Sequence, residues 1–314
     1  MGYLGVEFFF IVSGYLMAQK ALNMKNYKDE DIGKLTWNYI WKKIKVLFPY
    51  VLINYLISIV VKSTFRDFKT YQYVRSIWNL LFIDMSGITT TYMLGQTWYI
   101  SAMLISMLIL YPLILKYKKN FIYLGSPVIV LFIGGFLSRN YANLNLPYIW
   151  ENIIMLGMLR ALFEIALGTI IYEVTENIKK FDFTLVGKLT LTAIEILCFT
   201  GILLVIYKNS KNYDFIVLLL MTIATTIAFS KNNILYKFYN NKFFYYLEKL
   251  SLIIYLDHIW IRDIVVRHFN QSENIKLLIS LILTILISII LEFIMNKLKN
   301  MLNKKRNIFI RKTK

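Results

Sequence analysis

Gly2-Tyr3-Leu4-Gly5-Val6-Glu7-Phe8-Phe9-Phe10-Ile11-Val12-Ser13-Gly14-Tyr15-Leu16 decides how this chain is read. From Tyr3 to Ala18 only Glu7 and Ser13 interrupt an apolar run long enough for a membrane span. A carboxylate in such a span is costly and faces protein or a water-filled cavity. Glu7 and Gly14 stand seven residues apart and share one helix face. A glycine on that face lets a second helix come close.

The same signal recurs along the chain. Apolar runs at 3–19, 44–62, 97–115, 121–138, 153–174, 187–207, 213–229, 250–268 and 275–296 each approach the length of a bilayer crossing. With 58% hydrophobic residues over 314 positions, the fold class is all-α: a polytopic integral membrane bundle of about nine helices. Residues 1–296 form one transmembrane domain and 297–314 a basic tail. No internal repeat is visible. Cys198 is alone, so no intrachain disulfide forms. No basic region precedes Tyr3 and position 6 is Val6, so neither a signal peptide nor a myristoylation signal is expected.

The net charge of +18 belongs to loops rather than to a nucleic-acid surface. Lys20, Lys25, Lys28, Lys34, Lys42, Lys43 and Lys45 follow the first span. Lys116, Lys118 and Lys119 follow the third, and Lys179, Lys180 and Lys188 the fifth. Lys231, Lys237, Lys242 and Lys249 follow the seventh, and the tail carries Lys297, Lys299, Lys304, Lys305, Arg306, Arg311, Lys312 and Lys314. The intervening loops are poorer in charge, so the rich loops and the C-terminus are expected in the cytoplasm. Nine spans ending inside must begin outside, which leads us to expect a further helix before Met1. The longest outer connection, 62–96, holds Trp78-Asn79-Leu80-Leu81-Phe82-Ile83, of interfacial or re-entrant length.

Four further stretches can carry chemistry. Trp41-Lys42-Lys43-Ile44-Lys45-Val46-Leu47-Phe48-Pro49-Tyr50 is a cationic anchor for the membrane surface or a site for anionic phosphates at Lys42 and Lys45. Gln96-Thr97-Trp98-Tyr99-Ile100-Ser101-Ala102 opens a span with an aromatic pair, and Trp98 is an interface anchor or a site residue. Gly157, Arg160, Glu164 and Gly168 fall on one helix face, where Arg160 and Glu164 can pair as a structural ion pair or line a substrate path. In Leu250-Ser251-Leu252-Ile253-Ile254-Tyr255-Leu256-Asp257-His258-Ile259, the residues Ser251, Tyr255, His258 and Arg262 share a face. His258 there is a buried tie between helices, a general base or a substrate hydrogen-bonding group.

Together with the opening run, these stretches resemble the membrane-bound acyltransferase 3 family from Gly2 to about Ile290. The opening run resembles its Gly-Val-x-Phe-Phe-x-x-Ser-Gly-Tyr-Leu pattern, which makes Glu7 and Ser13 candidate lining residues. Lys42 and Lys45 stand at the two arginine positions of its Arg-x-x-Arg segment, keeping the charge without the bidentate fork. Trp98 resembles the tryptophan that begins a span, Arg160 with Phe163 and Gly168 a mid-chain stretch, and Tyr255 and His258 a late Ser-x-x-x-Tyr-Leu-x-His segment. Asp257 departs from the family, which tends to an apolar residue there.

The resemblance implies about ten helices and transfer of an acyl group, often acetyl, from acyl-CoA as co-substrate to a hydroxyl of a sugar, polysaccharide or other acceptor of the bacterial envelope. It implies no bound cofactor and no metal. It places the catalytic base on a histidine of a helix upstream of Gly2, a role His258 does not fill because it matches the later histidine. A 314-residue chain acting alone is therefore expected to have little transferase activity. A membrane carrier or flippase for a lipid-linked sugar, and a non-catalytic envelope-assembly protein, are the competing readings.

Overall fold

Nine long helices account for most of the described chain, and the stretches 65–96 and 141–155 are its longest connections. The computed structural model describes residues 2–65, 67, 69–88, 93–208 and 211–312, with only the backbone for residues 2, 211 and 302–312. Met1 and Lys314 lie outside the described residues, as do parts of the 62–96 loop and the side chains of the basic tail beyond 301.

The helices are α1 (Gly5–Leu22), α2 (Ile32–Thr64), α3 (Thr97–Tyr117), α4 (Ser126–Asn140), α5 (Leu156–Ile178), α6 (Leu185–Tyr207), α7 (Asp214–Ser230), α8 (Lys242–His268) and α9 (Glu273–Lys312). Each coincides with one of the apolar runs. The main differences are at ends: α2 starts well before the apolar run at 44, and α9 continues through position 297. A π-helical turn, Phe121–Gly125, leads into α4, and Trp150–Glu151 pairs antiparallel with Ile154–Met155 before α5.

Local chemistry sets the boundaries. Thr184 caps α6 by accepting from the Gly187 amide at 3.3 Å. The Asn241 side chain caps α8 by accepting from Phe243 and Phe244 at 2.8 and 3.1 Å. Lys231 ends α7 in the left-handed region, with φ of 62°. Among the described residues, five helical segments are long and apolar enough to cross a membrane: 29–64, 97–117, 121–140, 185–207 and 273–301. The more polar α5 and α8 hold ionisable residues that point into protein, Arg160 and Glu164 on one and Asp257 on the other. The chain is an all-α membrane bundle.

The chain forms two compact units. The first comprises Met1–Ile44, Phe82–Ile88 and Trp98–Asn240, the second Lys45–Leu81, Thr89–Thr97 and Asn241–Lys314. In the first, α5 is central: it packs against α1, α4 and α7, and α7 in turn against α6. The α1–α5 contact is a backbone crossing. A Cβ on Gly14 would run into the backbone of Ile165, and one on Gly168 into the backbone of Ile11, Gly14 and Tyr15. Only glycine permits that approach.

In the second unit α8 packs on α9. Trp260, Ile261 and Val265 form its apolar core with Ile57 and Val61 of α2 and Ile279, Leu283 and Ile287 of α9. The apolar run at 76–83 is in part a 3-10 helix, Ser76–Leu81. It is pinned by Asn79, whose Oδ1 accepts from the Met93 amide at 2.8 Å, and by Ser76, 2.8 Å from the Tyr55 hydroxyl.

Candidate active site

Glu7 and Arg160 find each other across the α1–α5 crossing. Arg160 Nη2 donates to Glu7 Oε1 at 2.5 Å and to Oε2 at 2.6 Å, and both side chains are fully buried. The glycine contact positions this pair. Glu7 precedes Gly14 by about two helical turns and Arg160 precedes Gly168 by slightly more, so two helices running in the same direction bring the charges level. A buried ion pair is costly to desolvate and stable only when its geometry and further hydrogen bonds satisfy it.

Those further bonds exist. Arg160 Nη1 donates to the Leu144 carbonyl at 2.5 Å. The Leu144 amide donates to Asp214 Oδ2 at 2.8 Å, and the Tyr3 hydroxyl donates to the same carboxylate at 2.9 Å. Trp98, at the first turn of α3, lies with its ring 5.1 Å from the guanidinium carbon, a cation–π contact. Phe10 buttresses it, 5.9 Å from Trp98 and 4.7 Å from Tyr99.

Glu164 is the less satisfied member. Its Oε1 lies 3.5 Å from Arg160 Nε, yet neither carboxylate oxygen closes a hydrogen bond among the described residues. The expected Arg160–Glu164 pair is therefore secondary, because both Glu7 oxygens accept from Arg160 Nη2 while only Nε, at 3.5 Å, is turned to Glu164. Ser13, on another side of α1, is half-buried with its hydroxyl 3.3 Å from Met103 Sδ.

The fold thus brings Glu7, Trp98, Arg160 and Glu164 into one buried cluster in the first unit. Sequence reasoning missed Tyr3, Leu144 and Asp214. A carboxylate opening the apolar run at 214 was the available signal for one of them.

Tyr255 and His258 belong to the second unit. The Tyr255 hydroxyl donates to the Gln96 carbonyl at 2.9 Å, and Gln96 Nε2 returns a bond of 2.5 Å to the Leu256 carbonyl. His258 is exposed rather than the buried tie considered above, because the inward position on α8 belongs to Asp257. His258 Nδ1 is 2.7 Å from the Tyr255 carbonyl. A carbonyl only accepts, so Nδ1 of the neutral ring carries the proton and Nε2 keeps its lone pair. Lys42 and Lys45 are both exposed on α2, the first in one unit and the second in the other. Between them Lys43 lies 5.2 Å over the Tyr39 ring.

A model of the acyltransferase 3 family, described as an acyltransferase domain, matches residues 1–293. The chain belongs to the acyltransferase 3 family. No curated protein and no solved structure matches it. Acyltransferase 3 membership makes the protein a membrane acyltransferase in general terms. It also gives the buried cluster its setting, since every residue in it lies within the matched region.

Proposed function

We propose that this acyltransferase 3 protein moves an acyl group, acetyl in the first instance, from acyl-CoA to a hydroxyl of a sugar, polysaccharide or other cell-envelope acceptor. The observation that carries the reading is convergence. Glu7, Trp98 and the Arg160–Glu164 pair stand in three separate family-like stretches, and the fold packs them as one cluster.

The reaction needs a base to take the hydroxyl proton, an attack on the thioester carbonyl, donors for the resulting oxyanion and departure of the thiolate. The cluster is closed to solvent, so its part is to fix α1, α3 and α5 against one another. Arg160 is a positioning residue in this reading. The exposed groups are assigned to the substrates. His258 presents Nε2 to hydrogen-bond a substrate, and Lys42 and Lys45 meet CoA phosphates as point charges. The lysine-rich loops and the C-terminus face the cytoplasm of the cell membrane, on the side of the donor.

The test uses the product of the native gene in its own membrane. With acetyl-labelled CoA, Lys42→Ala and Lys45→Ala are expected to raise KM for the donor with less effect on kcat. His258→Ala is expected to lower transfer at saturating donor. Unchanged kinetics in all three would remove these assignments.

A further inference from the structure

Glu164 is the carboxyl of the buried cluster on which no donor closes. Glu7, Glu164 and Asp214 are all fully buried, and Arg160 is the only buried lysine, arginine or histidine among the described residues. The other two carboxylates are supplied. Glu7 takes both bonds from Arg160 Nη2, and Asp214 takes bonds from the Tyr3 hydroxyl and the Leu144 amide. Glu164 has only Arg160 Nε, at 3.5 Å, too far for an N–H···O bond. Both of its oxygens and that Nε stay without a hydrogen-bond partner among the described residues.

Glu164 does have Glu7 beside it, within hydrogen-bonding range. Two carboxylates only accept, so at that range they repel. One proton between them reverses this. A protonated carboxyl donates, and each Glu7 oxygen has a second lone pair to accept it. The same proton brings Glu7, Arg160 and Glu164 together to zero net charge. That removes the cost of an uncompensated charge in a closed site. No other neighbour supplies a cation. Tyr99 of α3 faces Glu164 and its phenol brings no positive charge, Tyr3 of the first turn is taken by Asp214, and Arg139 of α4 is exposed.

We propose that Glu164 is kept as the neutral acid and donates its proton to Glu7, holding the Glu7 carboxylate on Arg160. Glu164 is then a positioning residue for the α1–α5 crossing, acting through Glu7. The inference rests on the positioning role given to Arg160, and not on which acyl donor or acceptor the protein uses.

The test is infrared difference spectroscopy on the purified full chain in detergent, without substrates, at about pH 8, where an ordinary glutamic acid is ionised. Wild type minus Glu164→Gln is expected to show the carbonyl stretch of one protonated carboxyl, moved to lower frequency in heavy water. Thermal unfolding gives the second reading. Glutamine supplies an uncharged donor of the same shape, so Glu164→Gln is expected to unfold within about 1 °C of wild type. Glu164→Leu, of similar size without a donor, is expected to unfold about 3 °C lower. A difference spectrum with no acid band would overturn the proposal and make Glu164 a carboxylate. So would a Glu164→Gln chain that fails to fold, or that unfolds as low as Glu164→Leu, since glutamine would then not replace the acid. Neither reading uses acyl transfer, so a chain without acetyl-CoA activity leaves both standing.

Discussion

Replacing Gly14 with alanine adds one methyl group at the tightest point of the α1–α5 crossing. That methyl would overlap the carbonyl oxygen, carbonyl carbon and Cα of Ile165. These are backbone atoms inside a helix, so no rotamer change relieves the overlap and the helices must separate. Overpacking of this kind costs about 1–3 kcal/mol. Alanine recovers up to ~1 kcal/mol of helix propensity over glycine. Separation also lengthens the Glu7–Arg160 bonds, which stand at 2.5 and 2.6 Å.

The net loss is placed at about 1–2 kcal/mol, a fall of about 2–3 °C in the unfolding temperature for a chain of this length. The assay is thermal unfolding in detergent, followed by fluorescence-detected gel filtration. Gly135→Ala is the control: nothing lies within 4 Å of a Cβ there, so the substitution is expected to be neutral or slightly stabilising. Gly168→Ala is expected to match Gly14→Ala, and the double variant to cost less than the sum, because both relieve the same contact. A Gly14→Ala protein as stable as wild type would refute the crossing.

Arg160→Met leaves Glu7 buried without its cation and is expected to cost about 3–5 kcal/mol. Adding Glu7→Gln should recover part of that loss, and a double-mutant cycle with no coupling would contradict the pair. Lys119 Nζ meets Glu173 at 2.6 Å, but the lysine is more than half exposed. Lys119→Met is therefore expected to cost less than ~1 kcal/mol and to show its effect chiefly at low salt. Trp260→Phe leaves Asn54 Oδ1 without its donor at 3.0 Å, a loss of about 1–3 kcal/mol visible as a lower unfolding temperature.

The nine helices were legible as apolar runs, but bilayer length and apolar composition are both met in only five of them among the described residues, because α1, α5 and α8 carry buried ionisable residues and α7 is short. Glu7 was recognisable as a carboxylate that had to face protein, and the Gly14 face as a close helix contact. The partner of Glu7 was not legible. Arg160 lies 153 positions away, and the nearer Glu164 at helical spacing looked the better match. Helical spacing reports which residues share a face; it does not report which neighbouring helix arrives there first.

The same limit explains α8. Ser251, Tyr255 and His258 share a face, yet Asp257, one residue along, turns inward because Ser288 of α9 and Asn54 of α2 are there to receive it. The early start of α2 was missed for another reason. Residues 32–43 are too polar to read as a span, but Ile32, Thr36 and Ile40 at four-residue spacing are buried and carry the helix outward.

The most direct test of the acyltransferase account is the product. Membranes expressing the native gene are given acetyl-labelled CoA, and label is sought as alkali-labile ester in envelope carbohydrate. The account predicts ester label that depends on the gene and falls at least tenfold with Arg160→Met, beyond any loss of protein amount. Envelope carbohydrate with the same ester label whether or not the gene is present would contradict it.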